Sequence, residues 1–161
     1  KGYIAQLNLT NSTVYNCAAK RDVFRMDDAS ADFPGVSGPK YTVNACTFYN
    51  VGNGEANYRF FYLRFAGNTI TFTNNIVSGF NNKRGFANQS TTDQSPTLSR
   101  NYYYNVKNLV EADPDNTEKV SWYDAEGSVL SAQPFADPAN GNFTITDEDM
   151  IFYGIGDPRW R

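Results

Sequence analysis

The sequence has no histidine, only two cysteines and only 19% charged residues among its 161 residues. Without histidine, the chain cannot carry a Ser-His-Asp hydrolase site, a histidine-ligated zinc or iron, or a histidine general base. No stretch approaches the ~18 apolar residues that a membrane-spanning helix requires. The net charge is −3 and the pI is near 4.9, which argues against nucleic acid as the main partner. We therefore expect no nucleic-acid partner and no membrane span in this chain.

Helix signals are also scarce, because the apolar runs are short and lack a 3.6-residue period. In contrast, the chain contains 19 Asn, 12 Phe and 11 Tyr. Asparagine tolerates the left-handed backbone of tight bends, and aromatic residues suit a pleated, half-buried surface. This composition predicts an all-β protein of many short strands joined by asparagine-lined bends.

Four segments align without gaps, over residues 9–16, 43–50, 72–79 and 98–105. Each opens on an apolar residue, has Val, Phe or Tyr at its sixth position, and closes on Asn or Gly. The segments start 34, 29 and 26 residues apart, and a second short apolar run follows each of them. A period of this length with two or three strands is typical of one coil of a parallel β-helix, whose coils stack to bury their apolar faces.

The sequence thus predicts a parallel β-helix of about four coils over residues 1–112. Residues 113–161 depart from the repeat and are predicted to form a terminal coil with an atypical cap over the last open sheet edge. Within them, residues 120–130 are predicted to form a hairpin. The alternative fold is an antiparallel β-sandwich, which also has short strands between turns.

The end of the chain resembles a known family. Residues 134–145, together with the Gly-Asp-Pro-Arg-Trp ending at residues 156–160, are similar to the closing segment of secreted pectate-lyase-like β-helix proteins. They most resemble the uncharacterised C-terminal β-helix family of Bacteroidetes polysaccharide-utilisation proteins. The resemblance implies a right-handed helix, export to the medium or cell surface, upstream domains of the same polypeptide and a polysaccharide context. It implies no established activity.

Lyases of this fold use an arginine or lysine base, often with calcium held by carboxylates. The candidates are Arg25 and Arg64, which the repeat places at the same position of successive coils, and Lys83 and Arg84 of the next coil. Together with Tyr62 they would form a cationic stripe suited to acidic sugars. The alternative is that these are ordinary outward-facing residues whose stems cover apolar neighbours.

A second group of candidate binding residues is aromatic. The repeat points Tyr103 into the core, in line with Val14, Phe48 and Val77, so that its neighbours point outward. An outward ladder of Tyr15, Tyr49 and Tyr104 is either a platform for sugar rings or a stabilising stack along the sheet. The stack is the simpler interpretation.

Metal and disulfide sites have weaker signals. Carboxylates cluster at Asp27-Asp28, Asp113-Pro114-Asp115 and Asp147-Glu148-Asp149, but none has the full pattern of a calcium loop, so we predict no cofactor and leave calcium open. Cys17 and Cys46 occupy different positions of their repeats. They either bridge adjacent coils or remain free, with Cys46 as a small, partly buried residue.

Two function classes follow. The first is an exported, secreted or cell-surface module that binds or is displayed toward polysaccharide, without catalysis of its own. The second is a polysaccharide lyase, or a fragment of one, that cleaves uronic-acid glycans by β-elimination. The missing histidine and the weak acid–base constellations favour the first class. The candidate sugar-binding residues are Arg25, Tyr62, Arg64, Arg84, Tyr15, Tyr49 and Tyr104.

Overall fold

A computed structural model describes residues 4–26, 38–63, 67–87, 95–111 and 121–161. The strands in chain order are β1 (Gln6–Thr10), β2 (Thr13–Cys17), β3 (Phe24–Met26), β4 (Lys40–Asn44), β5 (Thr47–Val51), β6 (Phe61–Leu63), β7 (Thr69–Thr73), β8 (Ile76–Phe80), β9 (Phe86–Ala87), β10 (Thr97–Ser99), β11 (Tyr102–Val106), β12 (Ser121–Trp122), β13 (Ser128–Val129), β14 (Phe135–Asp137) and β15 (Asn142–Ile145). One short α-helix, α1, spans Glu148–Phe152, and 3-10 turns span Pro138–Asn140 and Pro158–Trp160.

Successive repeats add parallel strands to the same sheets. Sheet 1 has the order β1-β4-β7-β10, sheet 2 has the order β2-β5-β8-β11-β13, and sheet 3 pairs β3 with β6. All strand pairs in these three sheets are parallel. This confirms the all-β class and differs from the antiparallel sheets of a β-sandwich.

The sheet registers match the sequence repeat. In sheet 1, Leu9, Val43, Phe72 and Leu98 lie opposite one another. In sheet 2, the row Val14, Phe48, Val77 and Tyr103 points into the core. Tyr103 is fully buried, which confirms its predicted inward orientation.

Buried amides hold the bend between sheets 1 and 2. Asn74 and Arg100 have positive φ there, and the next residues, Asn75 and Asn101, are buried. Asn101 Oδ1 accepts hydrogen bonds from the Asn75 backbone N–H at 3.0 Å and from its Nδ2 at 3.2 Å. Asn75 Oδ1 in turn accepts from the Cys46 backbone N–H at 2.9 Å. The bend is therefore satisfied by an amide ladder, as buried polar groups require.

Aromatic rings fill the space between the sheets. Phe60, just before β6, lies within 5.4–5.8 Å of the ring centres of Phe24, Phe48, Phe61, Phe72, Phe80 and Phe86. All six of these pairs are tilted or edge-to-face, the arrangements that aromatic quadrupoles favour. The main core therefore lies between sheets 1, 2 and 3. The outer face of sheet 2 lies outside this core and packs against the C-terminal segment.

The described residues 121–130 do not form the hairpin that the sequence predicts over residues 120–130. β12 pairs antiparallel with β9, whereas β13 extends sheet 2 in parallel beside β11. The chain changes sheets at a turn where the Gly127 N–H donates to the Asp124 carbonyl at 3.0 Å. A Cβ on Gly127 would lie 2.4 Å from the Tyr103 ring, so this glycine lets the turn pack against the core rather than reverse the chain.

The described part of the C-terminal segment, residues 131–161, lies against the outer face of sheet 2. The ring of Phe143 in β15 lies 5.3 Å from that of Tyr15 in β2 and 5.7 Å from that of Tyr49 in β5. Val129, on the outermost strand of the sheet, remains 67% exposed. The segment thus buries aromatic surface on the face of sheet 2.

Candidate functional site

Two rows of equivalent residues run across the outer face of sheet 2. The register places Tyr15, Tyr49, Ser78 and Tyr104 opposite one another, and we call them the tyrosine row. The next residue of each strand has positive φ and forms the bend row, which consists of Asn16, Asn50, Gly79 and Asn105. The dipeptide Tyr-Asn thus occurs in three repeats, and Ser-Gly takes its place in the repeat that contributes β8.

This replacement leaves a notch, because Ser78 and Gly79 lack the bulk of their equivalents. A cleft of about 170 Å³ opens there, lined by Tyr49, Asn50, Asn53, Ser78, Gly79, Phe80, Asn81, Tyr104, Asn105 and Gln133. Tyr49 and Tyr104 stand on strands two positions apart, so their backbones are separated by about 9.6 Å. The notch is therefore flanked by an aromatic side chain on each side.

The cleft is lined by neutral polar side chains. Asn50 Nδ2 donates to Asn16 Oδ1 at 2.7 Å, and Asn53 Nδ2 donates to Asn50 Oδ1. Asn81 Oδ1 accepts from the Glu55 backbone N–H at 3.2 Å, which leaves its Nδ2 facing no hydrogen-bond partner among the described residues. The lining therefore offers amide donors and acceptors but no ionised group.

The C-terminal segment completes one wall. Ser78, itself buried, donates a hydrogen bond from its hydroxyl to Gln133 Oε1 at 3.0 Å. The Tyr49 ring packs edge-on against Phe135 at 6.5 Å and at a tilt against Phe143 at 5.7 Å. Tyr49 is thus held by residues far from it in sequence, while Gln133 reaches the notch that Ser78 leaves open.

The predicted ladder of tyrosines divides between two roles. Tyr49 and Tyr104 line the cleft, and Tyr15 stands outside it with half of its surface exposed and its ring against Phe143. The sequence prediction included two of the residues that line the cleft, Tyr49 and Tyr104, but not Ser78, Gly79 and Gln133. The interruption of Tyr-Asn by Ser-Gly was the available signal for Ser78 and Gly79.

The cationic candidates do not form a single row. Arg25 lies opposite Tyr62, not opposite Arg64, because β3 and β6 pair Phe24 with Phe61. The alignment of Arg25 with Arg64 is therefore wrong by two residues, and Arg64 itself lies outside the described residues. Arg25 Nη1 is 2.9 Å from the buried Asp22 Oδ2, and its Cζ is 4.7 Å from the Tyr62 ring centre.

Lys83 and Arg84 occupy positions of their repeat that precede the position of Arg25 in its own repeat. The Arg84 N–H donates to the Tyr58 carbonyl at 3.3 Å, so Arg84 stands beside Tyr58, four residues before Tyr62. Lys83 is exposed, and its N–H donates to the Ala56 carbonyl at 3.0 Å. The structure thus brings Arg25 and Tyr62 together and places Lys83 and Arg84 beside earlier positions of the repeat, next to Ala56 and Tyr58.

The acidic clusters provide no metal site among the described residues. Asp147 caps α1 by accepting a hydrogen bond from the Met150 N–H at 3.0 Å, which is the ordinary role of aspartate at this position. No group of three or more potential ligand side chains occurs within the described ranges. Asp27, Asp28, Asp113 and Asp115 lie outside them.

Both cysteines are free thiols. Cys17 is exposed at the end of β2, and Cys46 is buried in the slot that the repeat predicts for a small residue. Burial raises the pKa of the Cys46 thiol to about 11, because it outweighs the backbone hydrogen bonds at Ser12 and Asn44, which lower the pKa. The thiol of Cys46 is therefore protonated and unreactive near neutral pH.

The chain belongs to a family whose function is not assigned. Residues 41–160 match the family model described as "Domain of unknown function (DUF5123)". No curated protein and no solved structure matches the chain. In the described part of the chain, no helix is long and apolar enough to cross a membrane.

Proposed function

We propose that this chain is a right-handed parallel β-helix module, secreted or held at a cell surface, that binds polysaccharide without catalysis of its own. The cleft between Tyr49 and Tyr104 would hold one sugar residue of the polysaccharide. The observation that carries this proposal is a notch between two aromatic side chains that is lined by amides.

The aromatic pair suits a sugar ring. Carbon atoms in contact lie about 3.5–4.0 Å apart, so a ring held between two aromatic faces needs roughly 7–8 Å. The Tyr49 and Tyr104 backbones are about 9.6 Å apart, which accommodates such a ring. The C–H faces of a pyranose are apolar and its rim carries hydroxyl groups, so it matches tyrosine faces with amides around them.

The size of the cleft indicates a contact with one residue of a polymer. Pockets that enclose a whole drug-sized ligand have volumes of roughly 300–1,000 Å³, well above the 170 Å³ observed here. A polymer would leave its other residues outside the notch. Binding at a single site of this kind is weak, and multivalent display strengthens it.

The test is affinity electrophoresis in gels that contain neutral, pectic, alginate and glycosaminoglycan polymers. We expect at least one polymer to retard the chain, and Tyr104→Ala to weaken that retardation about tenfold. Tyr15→Ala is the matched control, because it removes a tyrosine of the same row that stands outside the cleft. Equal retardation of both variants and the parent chain would overturn the assignment of the cleft.

The lyase alternative is tested on the same polymers. Elimination produces an unsaturated uronate that absorbs in the ultraviolet, and we expect no increase in absorbance with or without calcium. An increase that Arg25→Ala abolishes would instead make the chain an enzyme.

A further inference from the structure

We propose that the cleft selects uncharged sugar residues and rejects uronates and sulfated sugars. This inference rests on the proposed polysaccharide binding and names the class of ligand at the same site. It starts from the charge of the lining residues. None of the ten is Asp, Glu, Lys or Arg.

A carboxylate that enters such a cleft loses part of its hydration and gains no cation. The cost of burying a charge is large unless the charge is paired. Hydroxyl groups are neutral, and the amides of Asn53, Asn81, Asn105 and Gln133 can replace their water contacts as both donors and acceptors. The lining thus compensates a neutral sugar and leaves an acidic one uncompensated.

Charges beside the cleft do not restore a preference for acids. Glu55, Lys83 and Lys107 each follow a lining residue by two positions and are exposed, so the rim carries one acid and two bases. Salt screens exposed charges over about 8–10 Å, and none of the three adds a cation to the lining itself.

The buried Arg59 and the exposed Arg25 lie at another place on the protein. Arg25 and Arg59 both lie near the Tyr62 ring, with Cζ atoms 4.7 and 4.4 Å from its centre. Both also contact the carboxylate of Asp22, which is fully buried. These guanidinium groups belong to sheet 3 and its approach, whereas the cleft lies on sheet 2. Both of these guanidinium groups are thus engaged away from the cleft.

The experiment compares matched polymers that differ only in charge. A neutral polymer that retards the chain is oxidised at its primary hydroxyls to uronates, and an acidic polymer that does so is reduced to its neutral form. We expect the neutral member of each pair to bind at least tenfold more tightly, with retardation unchanged between 50 and 500 mM NaCl. The Tyr104→Ala variant is run beside the parent chain on both members.

The outcomes separate the two proposals. Tighter binding of the acidic member that still depends on Tyr104 would overturn the selection of neutral sugars and leave the binding site standing. Equal binding of both members would overturn the selection as well. Retardation by no polymer, or retardation independent of Tyr104, would overturn the binding site and the inference together.

Discussion

The indole Nε1 of Trp160 donates a hydrogen bond to the hydroxyl of Thr13 at 2.7 Å, joining residues that are 147 positions apart. The same hydroxyl donates to Asp157 Oδ2 at 2.7 Å, and the Asp157 N–H donates to the hydroxyl of Thr47 at 3.1 Å. The end of the chain is thus attached to β2 and β5, the first two strands of sheet 2. The C-terminal segment follows β13, which is the strand at the other edge of sheet 2. It therefore stabilises the repeat region by linking the two edges of that sheet.

Removing the indole should weaken this attachment. We expect Trp160→Ala to lower the free energy of unfolding by about 2 kcal/mol, because it removes a hydrogen bond and the ring contact with Phe143 at 5.5 Å. Urea denaturation measures the change. Tyr153→Ala, which removes an exposed ring from the same segment, should cost less than about 0.5 kcal/mol. Equal losses for the two variants would contradict the attachment.

The carboxylate of Asp157 should make stability depend on acid pH. Its burial opposes ionisation, but hydrogen bonds from the Arg159 side chain and the Thr13 hydroxyl outweigh this and hold its pKa below the usual value. Because the pKa is lower in the folded state, the contribution is complete above the unfolded value of about 4 and is lost as the pH falls through the folded value. We expect Asp157→Asn to cost about 2 kcal/mol at pH 7.

The comparison between pH 7 and pH 3 tests the sign. The difference in unfolding free energy between the parent chain and Asp157→Asn should shrink as the pH falls. A difference that grows toward pH 3 would show that the carboxylate is not stabilised in the folded state.

The two thiols should react at very different rates. Cys17 is exposed, whereas Cys46 is buried with a pKa of about 11. At pH 8 we expect a thiol reagent to label one cysteine per folded chain and two in denaturant, with Cys17→Ser abolishing the rapid reaction. Rapid labelling of Cys46 in the folded Cys17→Ser chain would contradict its burial.

The notch can be filled by restoring the repeat. Gly79→Asn places in the bend row the residue found at its three equivalents, which have φ of 50° to 53°. A Cβ there makes ordinary contacts at 3.4 Å with Asn50, but the φ of 83° is one that side chains rarely adopt. We therefore expect a loss of stability of about 1 kcal/mol and a loss of at least tenfold in polysaccharide retardation.

Gly141→Asn is the matched control for that variant. Gly141 has φ of 82°, close to the 83° of Gly79, and a Cβ there meets nothing within 4 Å. Its substitution should therefore cost a similar amount of stability and leave retardation unchanged. If the two variants bind equally well, the notch is not the site.

The sequence was sufficient to predict the register of sheets 1 and 2, but not that of sheet 3, because each row of the first two sheets repeats one chemical requirement. Tyr103 follows Val14, Phe48 and Val77 in the core, and Asn101 follows Asn75 in the bend. Both rows recur at fixed positions of the repeat, so an alignment of the chain with itself recovers them.

Features that depend on distant contacts were not predictable in this way. The turn at Gly127 has the local signals of a hairpin, but its flanking strands find better partners in β9 and β11. The outward tyrosines carry no sign that Phe135 and Phe143 will cover one end of their row. Gln133 enters the cleft only because the C-terminal segment runs back across sheet 2, which no periodic pattern encodes.

The most direct test of the account locates a bound neutral sugar on the protein. Titration of the isotope-labelled chain with an oligosaccharide of the retained polymer would be followed by amide NMR. The account predicts chemical-shift changes centred on Gly79, Tyr104 and the side-chain amides of Asn81, Asn105 and Gln133. Changes centred on Arg25 and Tyr62, with the cleft signals unmoved, would contradict it.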